Sequence, residues 1–337
     1  MFGKKANLVL FSVMAMLFFC VTTSYAGLAP KVFITKGVIK GGHSYAAGGL
    51  SDQFLHRWAD IVAKKTNGDI KIEIYPAGQL GGYRETFELV QMGTVQFVWE
   101  DPSTVQPWDR ELPGIAAALF MHPTRDHFYK VWQGPLGREV MDEIAYRTGF
   151  RQILGVSRGA RMLATTKPVY NVEDLKKVKL RFPQMEAWLR YWKSMGANVT
   201  PISFVECFSS MQTGIIDGLD QEFPTMYENG FFDVAKYAIM TWHSHVPYGP
   251  IFGETYWRKL HPEIRDVLIE AGKEATPWMQ DQVRDLEAKY LGLIQERGVK
   301  VIDETNGLDV ESFRKAAKDI KFTTLESYYY NKIRNLK

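Results

Sequence analysis

The chain has 337 residues, of which 46% are hydrophobic and 23% charged, and its net charge is +3. This composition excludes a disordered or fibrous chain, and the length allows two domains that each bury a core. Removing Lys4 and Lys5 from the 41 basic residues leaves 39 against 38 acidic ones, so residues 27–337 are nearly neutral. A near-neutral body without a basic stripe argues against nucleic-acid binding. Cys20 and Cys207 are too few for a disulfide scaffold or a cysteine metal cluster.

The N-terminus has the pattern of a secretory signal peptide. Lys4 and Lys5 precede an uncharged apolar run from Leu8 to Val21, and small and polar residues follow up to Ala26. The run is about 14 residues long, whereas a membrane-spanning helix needs about 20. We therefore expect residues 1–26 to be a cleaved signal peptide and the mature chain to be exported to the periplasm. An uncleaved membrane anchor is the alternative.

Helix and strand patterns alternate along the mature chain. The first predicted helix begins near Ser51, and further helices are predicted at 82–92, 126–147, 184–195 and 203–213. Strands are predicted at 69–75, 95–99, 150–156, 179–182, 198–201 and 234–242. Residues 262–297 are compatible with one long helix except at Gly272 and Pro277, and a helix of that length can cross between domains. The βαβα order predicts α/β domains with mostly parallel sheets.

Two patterns suggest catalysis or metal binding. Residues 155–159 (GVSRG) match the nucleophile elbow of a serine hydrolase, in which a helix must follow the serine. Residues 160–169 have an extended pattern instead, so a secreted hydrolase using Ser157 is kept as an alternative hypothesis. His243 and His245 share one face of a predicted strand, but the spacing indicates no third ligand. We therefore expect neither a metal site nor a cofactor.

Arg181 is the clearest candidate for a binding residue. It lies at the carboxyl end of the predicted strand Lys179–Phe182, on the opposite face from Leu180 and Phe182, just before a predicted helix. Ligands of open α/β sheets bind at this edge, and a helix N-terminus favours an anion. A guanidinium group pairs bidentately with a carboxylate. The pattern therefore predicts a carboxylate ligand, with an ordinary surface arginine as the alternative.

The surrounding motifs resemble those of one family. Besides RFP at 181–183, they are YPAGQLG at 75–81, MGA at 195–197, Thr200-Pro201, Glu206 and QTGIIDG at 212–218. In this register the chain resembles the substrate-binding proteins of tripartite ATP-independent periplasmic (TRAP) transporters, the DctP family. The likeness extends from about Phe33 to Ile320, and the combination is far more specific than any one motif.

The resemblance implies a fold and a domain organisation. It implies an α/β, two-domain periplasmic binding protein of the Venus-flytrap type, with a cleft between the domains and a long domain-spanning helix. We expect domain I to comprise residues 27–158 plus about 246–287. Domain II is then 159–245 plus about 288–337. The resemblance implies ligand binding and no catalysis.

The resemblance also implies the ligand-binding residues. The family's defining contact is an arginine at the position of Arg181, which pairs with the ligand carboxylate. The register places Arg161 where many members carry a second arginine, Phe204 where a ring packs on the ligand, and Asp101 where some members contact its polar groups. Gln221 stands where many members have asparagine, which keeps the amide but lengthens the side chain. The remaining predicted ligand-binding residues border the cleft in this register: Trp188, Trp242, Tyr45 and His43.

The implied ligand is a small organic acid that is handed to a membrane permease with a small and a large subunit. Two buried arginines in a closing cleft need a counter-anion, and the aromatic residues indicate a ligand with an apolar or aromatic part. A hydroxy, keto or aromatic acid, a zwitterion such as an amino acid or ectoine, and a sulfonate all remain open. We expect a monomer without a nucleic-acid partner. A ligand-sensing module for a membrane kinase fits the same sequence and stays open.

Overall fold

The computed structural model describes residues 33–336, so the predicted signal peptide at 1–26 lies outside the described residues. No helix in this described part of the chain is long and apolar enough to cross a membrane. Its strands are β1 (Gly37–Gly42), β2 (Ile70–Tyr75), β3 (Phe97–Glu100), β4 (Phe150–Gln152), β5 (Arg161–Thr165), β6 (Lys179–Phe182), β7 (Asn198–Pro201), β8 (Gly218–Glu222), β9 (Tyr237–Ser244), β10 (Gly249–Gly253) and β11 (Lys300–Ile302).

Helices connect these strands and cover the sheets. They are α1 (Leu50–Lys65), α2 (Tyr83–Met92), α3 (Arg125–Trp132), α4 (Pro135–Thr148), α5 (Glu186–Ser194), α6 (Cys207–Gln212), α7 (Phe223–Glu228), α8 (Glu254–Lys259), α9 (Pro262–Glu296), α10 (Val310–Ala317) and α11 (Thr324–Arg334). Short 3₁₀ turns include Pro102–Val105, Pro113–Ala117 and Phe204–Glu206.

The strands form two sheets. The first has the order β2-β1-β3-β10-β4, and the second has the order β11-β9-β5-β8-β6-β7. The expectation of mostly parallel sheets is only partly right, because β10 is antiparallel to β3 and β4, and β5 is antiparallel to β8 and β9. The two antiparallel strands, β5 and β10, lie where the chain passes between the sheets. It goes from β4 of the first sheet to β5 of the second, and it returns from β9 to β10. A strand that arrives from the other sheet can enter in either direction.

Two short strands have their predicted bounds, but the predicted strand 150–156 ends already at Gln152 and one predicted helix is divided. Strands β6 and β7 begin and end where the pattern predicts. The predicted helix 126–147 is two helices, α3 and α4, separated at Gly134-Pro135. Pro135 has no N–H to continue α3 but suits the first turn of α4. A Cβ at position 134 would overlap the carbonyl oxygen of Lys130, so the break needs glycine.

The long helix α9 is continuous over 35 residues, or about 52 Å. It runs through both Gly272 and Pro277. It packs on α1, which covers the first sheet, and on α7, which follows β8 of the second sheet. Trp58 of α1 donates a hydrogen bond from Nε1 to the backbone oxygen of Leu268 on α9, at 3.0 Å. The long helix α9 therefore packs against one helix that belongs to each sheet, as its length allows.

Gly249 is required where the chain re-enters the first sheet. It opens β10, and a Cβ there would overlap the backbone oxygen of Leu154, which cannot move without breaking the local pairing. We expect Gly249→Ala to lower the free energy of unfolding by about 2 kcal/mol or more, because overpacking against backbone forces the strands apart. Chemical denaturation measures this loss. Gly292→Ala is the control, because that helical glycine has open space around it, and the change should stabilise the protein by about 0.5–1 kcal/mol. A neutral Gly249→Ala change would contradict the argument.

Candidate ligand-binding site

A cavity lies where segments that follow the strands of both sheets meet. It encloses about 530 Å³, including the part that is open to solvent. Its lining residues are mostly polar or aromatic: Ser44, Tyr45, Gly82, Tyr83, Glu100, Asp101, Arg161, Arg181, Pro183, Met185, Trp188, Ser203, Phe204, Val205, Gln221 and Tyr248. Asp101 follows β3, Arg181 lies at the end of β6 and Gln221 lies near the end of β8, so strand ends supply the site.

Arg181 is a buried cation without a protein counter-charge. It is 3% exposed, and the flanking Leu180 and Phe182 point into the core, as alternation on a strand requires. Its Nε donates to the backbone oxygen of Ile202 at 2.7 Å. Among the described residues, no carboxylate lies within ion-pair distance of Arg181, and its two terminal guanidinium nitrogens make no hydrogen bond to the protein and are not fully closed off from solvent. A buried charge in this state is costly, so the cavity favours an anion at Arg181.

Arg161 lines the same cavity but is fully engaged by the protein. Its Nε donates to Oδ2 of Asp220 at 2.9 Å, and its Nη1 donates to Oε1 of Glu222 at 2.9 Å. Nη1 also donates to the amide oxygen of Gln221 at 2.6 Å and to the hydroxyl of Tyr248 at 3.1 Å. The structure therefore differs from the expectation that both arginines need an external anion. Arg161 has its counter-anions on β8, and Arg181 does not.

The pKa of Asp220 reflects this network. Burial opposes ionisation of its carboxyl group, but Arg161 and the hydrogen bond from His243 outweigh it and lower the pKa to about 2. His243 bonds Asp220 through Nε2 at 3.1 Å and Thr241 through Nδ1 at 2.7 Å, so both ring nitrogens are used. Burial is also the main reason that the pKa of His243 is lowered. His243 therefore supports the Arg161 network.

Asp101, Trp188 and Gln221 line the same cavity. Oδ1 of Asp101 accepts from the backbone N–H of Ser103 at 2.8 Å, which begins the 3₁₀ turn that follows β3. Trp188 is 1% exposed and donates from Nε1 to Oγ of Ser103 at 2.8 Å. The guanidinium of Arg161 lies 4.5 Å from the centre of the Trp188 ring. Trp188 is thus both a core residue of α5 and part of the cavity wall.

Phe204 and Tyr45 form the aromatic wall beside Arg181. The Phe204 ring centre lies 5.9 Å from the Arg181 guanidinium and 5.6 Å from the Tyr45 ring centre. Tyr45 belongs to the segment after β1, and its hydroxyl donates to Oε2 of Glu100 at 3.0 Å. A ligand held at Arg181 would therefore lie beside two rings that come from different sheets.

His43 and Trp242 do not line this cavity. His43 is buried and bonds Oδ1 of Asp52 through Nε2 at 3.1 Å, which orders the turn before α1. Trp242 is 43% exposed and lines a separate groove that Phe120 also lines. The pairing of β9 with β5 is irregular around this residue. Arg161 pairs with Ser244 and Leu163 pairs with Ile239, so two residues along β5 span five along β9. The prediction for Trp242 depended on the register of the family resemblance, which does not contain this irregularity.

Several lining residues were not predicted. Glu100 directly precedes Asp101, and Tyr248 follows the return crossing after β9. Arg158 lies beneath the cavity between the rings of Tyr45 and Tyr248, 3.7 and 3.6 Å from their centres, and pairs with Glu222 at 2.7 Å. The acidic residues on β8 were the available signal, because alternate buried acids in one strand require basic partners.

Ser157 and His245 are close together, but they do not form a triad at a cavity. Oγ of Ser157 lies 3.1 Å from Nδ1 of His245. Ser157 is 1% exposed and does not line the candidate site. No carboxylate bonds His245 among the described residues, and burial lowers its pKa to about 4. The residues after Ser157 lead into strand β5. In a nucleophile elbow a helix follows the serine. Within residues 33–336, no group of three or more His, Cys, Asp or Glu side chains could hold a metal ion.

Comparison with known families agrees with this architecture. The sequence profile of the DctP family, described as bacterial extracellular solute-binding protein, family 7, matches residues 41–323. This match covers most of the chain. The chain therefore belongs to the DctP family of solute-binding proteins, whose members are binding proteins.

Individual relatives are similar over nearly their full lengths. The sialic acid-binding periplasmic protein SiaP of Vibrio cholerae is 26% identical over 284 residues, which are 84% of this chain and 86% of SiaP. A TRAP periplasmic solute-binding protein of Actinobacillus succinogenes, crystallised with L-galactonate, is 25% identical with a TM-score of 0.81, covering 89% of this chain and all of that one. A third, from Polaromonas and bound to D-erythronate, is 25% identical with a TM-score of 0.80, covering 90% and 99%.

Proposed function

We propose that this protein is the periplasmic receptor of a TRAP transporter, and that it captures a small organic acid whose carboxylate pairs with Arg181. One observation carries the proposal: Arg181 is buried in the cavity, and its terminal nitrogens have no partner among residues 33–336. The ligand contacts would come from Arg181, Phe204 and Tyr45, with Asp101 and Gln221 also lining the cavity. Arg161 and Trp188 would shape the cavity without pairing with the carboxylate.

The ligands of relatives support an acid. SiaP is named for sialic acid, and the neighbouring structures contain L-galactonate and D-erythronate. All of these molecules carry one carboxylate and several hydroxyl groups. We therefore place hydroxylated organic acids first among the candidate ligands of this chain. The aromatic wall would then pack on the carbon backbone of the ligand.

We further propose that two domains close on the ligand. The first would be residues 27–158 plus about 246–287, and the second 159–245 plus about 288–337. The cavity is lined from both sides, and Arg158 bonds Ser51 as well as Glu222. The backbone N–H of Leu50 at the start of α1 also donates to the carboxylate of Glu228 on α7, at 3.1 Å. Ligand charge at Arg181 would favour the closed arrangement, because it compensates a charge that closure buries.

The proposed partners are the small and large membrane subunits of the permease, which would accept the ligand from a monomeric receptor exported by the signal peptide at 1–26. A role as the sensory subunit of a membrane kinase would use the same site. The neighbouring genes separate these roles: permease genes support transport, and a histidine kinase gene without permease genes would contradict it.

A thermal-shift screen tests the receptor function. We expect one or more hydroxylated acids to raise the melting temperature of the mature protein by several degrees, because a ligand at about 1,000 times its Kd adds about 4 kcal/mol. The preparation is first unfolded and refolded to remove any bound ligand. No shift with any carboxylate or sulfonate would contradict the proposal.

Ser157→Ala separates a receptor from a hydrolase. We expect the variant to bind the ligand found in the screen within about twofold of the parent protein, because Ser157 lies outside the cavity. The measurement is calorimetric titration, accompanied by an assay with 4-nitrophenyl acetate. Ester hydrolysis by the parent protein that disappears in Ser157→Ala would instead support the hydrolase hypothesis.

A further inference from the structure

The cavity has a second pole opposite in character to Arg181. Glu100 and Asp101 are consecutive, only 6% and 3% exposed, and both line the cavity. Oε2 of Glu100 accepts from Tyr45, and Oδ1 of Asp101 accepts from Ser103. Within residues 33–336, no hydrogen bond is made by Oε1 of Glu100 or by Oδ2 of Asp101. These two oxygen atoms therefore remain for groups that enter the cavity.

The charges around the cavity restrict what can enter. Arg158 and Arg161 are balanced by Glu222 and Asp220, which pair with them at 2.7 and 2.9 Å. The carboxyl and guanidinium groups of the cavity that have no ion-pair partner among the described residues are therefore those of Arg181, Glu100 and Asp101.

Burial and the neighbouring Asp101 raise the pKa of Glu100 to about 8, against the opposing effects of Arg158 and Tyr45, and Glu222 adds to the rise. Burial raises the pKa of Asp101 as well, against the hydrogen bonds from Ser103 and the charge of Arg161. We take Glu100 to be the protonated member of the pair at neutral pH and Asp101 to hold the negative charge. One carboxylate at Arg181 is compensated, whereas a second carboxylate at the far end would face Asp101 without any cation.

We propose, on the basis of the receptor function above, that Glu100 and Asp101 select the far end of the ligand. The ligand is a monocarboxylate whose other end donates hydrogen bonds, through hydroxyl or ammonium groups, to Glu100 and Asp101. The same pole rejects dicarboxylates. Specificity then comes from two poles of one cavity: Arg181 selects the acid, and the charge of Asp101 selects against a second acid.

Matched pairs of acids test this selection by calorimetric titration at pH 7. Each pair has nearly the same carbon chain and differs in its far end: D-erythronate and tartrate, L-galactonate and galactarate, 4-aminobutyrate and glutarate. The first two pairs present hydroxyl groups and the third an ammonium group, so they distinguish the two kinds of donor. We expect at least one monocarboxylate to bind, and its dicarboxylate partner to bind more weakly by about tenfold or more.

Variants assign the effect to the second pole. Asp101→Asn keeps the shape but removes the charge, so we expect the preference for the monocarboxylate to shrink by about threefold or more. Asp126→Asn, at an exposed position of α3 outside the cavity, is the control and should leave the preference as it is.

The outcomes separate this inference from the receptor function. A dicarboxylate that binds as tightly as its partner overturns the inference, and dependence of that binding on Arg181 leaves the receptor function intact. A preference that survives Asp101→Asn unchanged also overturns it. Binding by none of these acids overturns it as well, and the wider thermal-shift screen then decides separately whether any other acid is bound.

Discussion

Arg181→Met should abolish most ligand binding, with a loss of affinity of about 100-fold or more. Removing one partner of a buried, hydrogen-bonded charge pair costs about 2–5 kcal/mol, and each 1.4 kcal/mol is a factor of ten. In this cavity the cost falls near the upper end, because Arg161, the other arginine that was predicted to contact the ligand, is already held by Asp220 and Glu222. Calorimetric titration with the ligand found in the screen measures the change.

Two further measurements make this prediction specific. Arg181→Lys keeps the charge but not the planar fork, so we expect it to retain part of the affinity. Arg147→Met, which removes an arginine that pairs with Asp109 away from the cavity, is the control and should bind normally. Without ligand, Arg181→Met should be at least as stable as the parent, because the change removes an uncompensated buried cation. Unchanged affinity in Arg181→Met would refute the site assignment.

Arg161→Met should have the opposite signature, with a large loss of stability. The substitution leaves the fully buried carboxylate of Asp220 without its arginine and leaves the fully buried Glu222 with Arg158 alone. Breaking a buried ion pair in this way costs about 3–5 kcal/mol, so the melting temperature should fall by roughly 10 °C. Thermal and chemical unfolding of the ligand-free protein measure the loss.

A compensated variant tests the cause of that loss. Adding Asp220→Asn to Arg161→Met removes the unpaired charge while keeping a similar volume, and it leaves Glu222 to pair with Arg158. We expect the double variant to recover part of the stability, because a neutral amide costs less to bury than an unpaired carboxylate. If Arg161→Met unfolds at the same temperature as Arg181→Met, the contrast between the two arginines is wrong.

Local sequence patterns were sufficient for most elements of the fold. Strands β6 and β7 lie at their predicted positions, and α9 runs from Pro262 to Glu296, close to the predicted 262–297. Alternation and helical periodicity depend on which side chains face the core, and this information is local. The division of the predicted helix at Gly134 was missed because the pattern of apolar residues continues across the break.

The cavity lining was predictable for Arg181, which was argued from a strand end, and not for Trp242, which was placed only by the register of the family resemblance. Arg181 follows from its place at the carboxyl end of β6, and it lines the cavity. Trp242 does not, because the irregular pairing of β9 with β5 changes the direction of successive side chains. No local pattern marks such an irregularity, since it depends on the register between two strands that are distant in the chain.

The sequence by itself determined the alternation of helices and strands, the long helix, the family and the position of Arg181 at a strand end. The tertiary structure alone decided which charged side chains are paired. Arg161 and Arg181 are the same residue type, each buried on a strand of the second sheet, yet β8 places Asp220 and Glu222 against Arg161 and places no carboxylate against Arg181. Pairing between charges is decided by distances of a few ångströms across neighbouring strands. Those distances depend on strand order and register, which single-chain patterns do not contain.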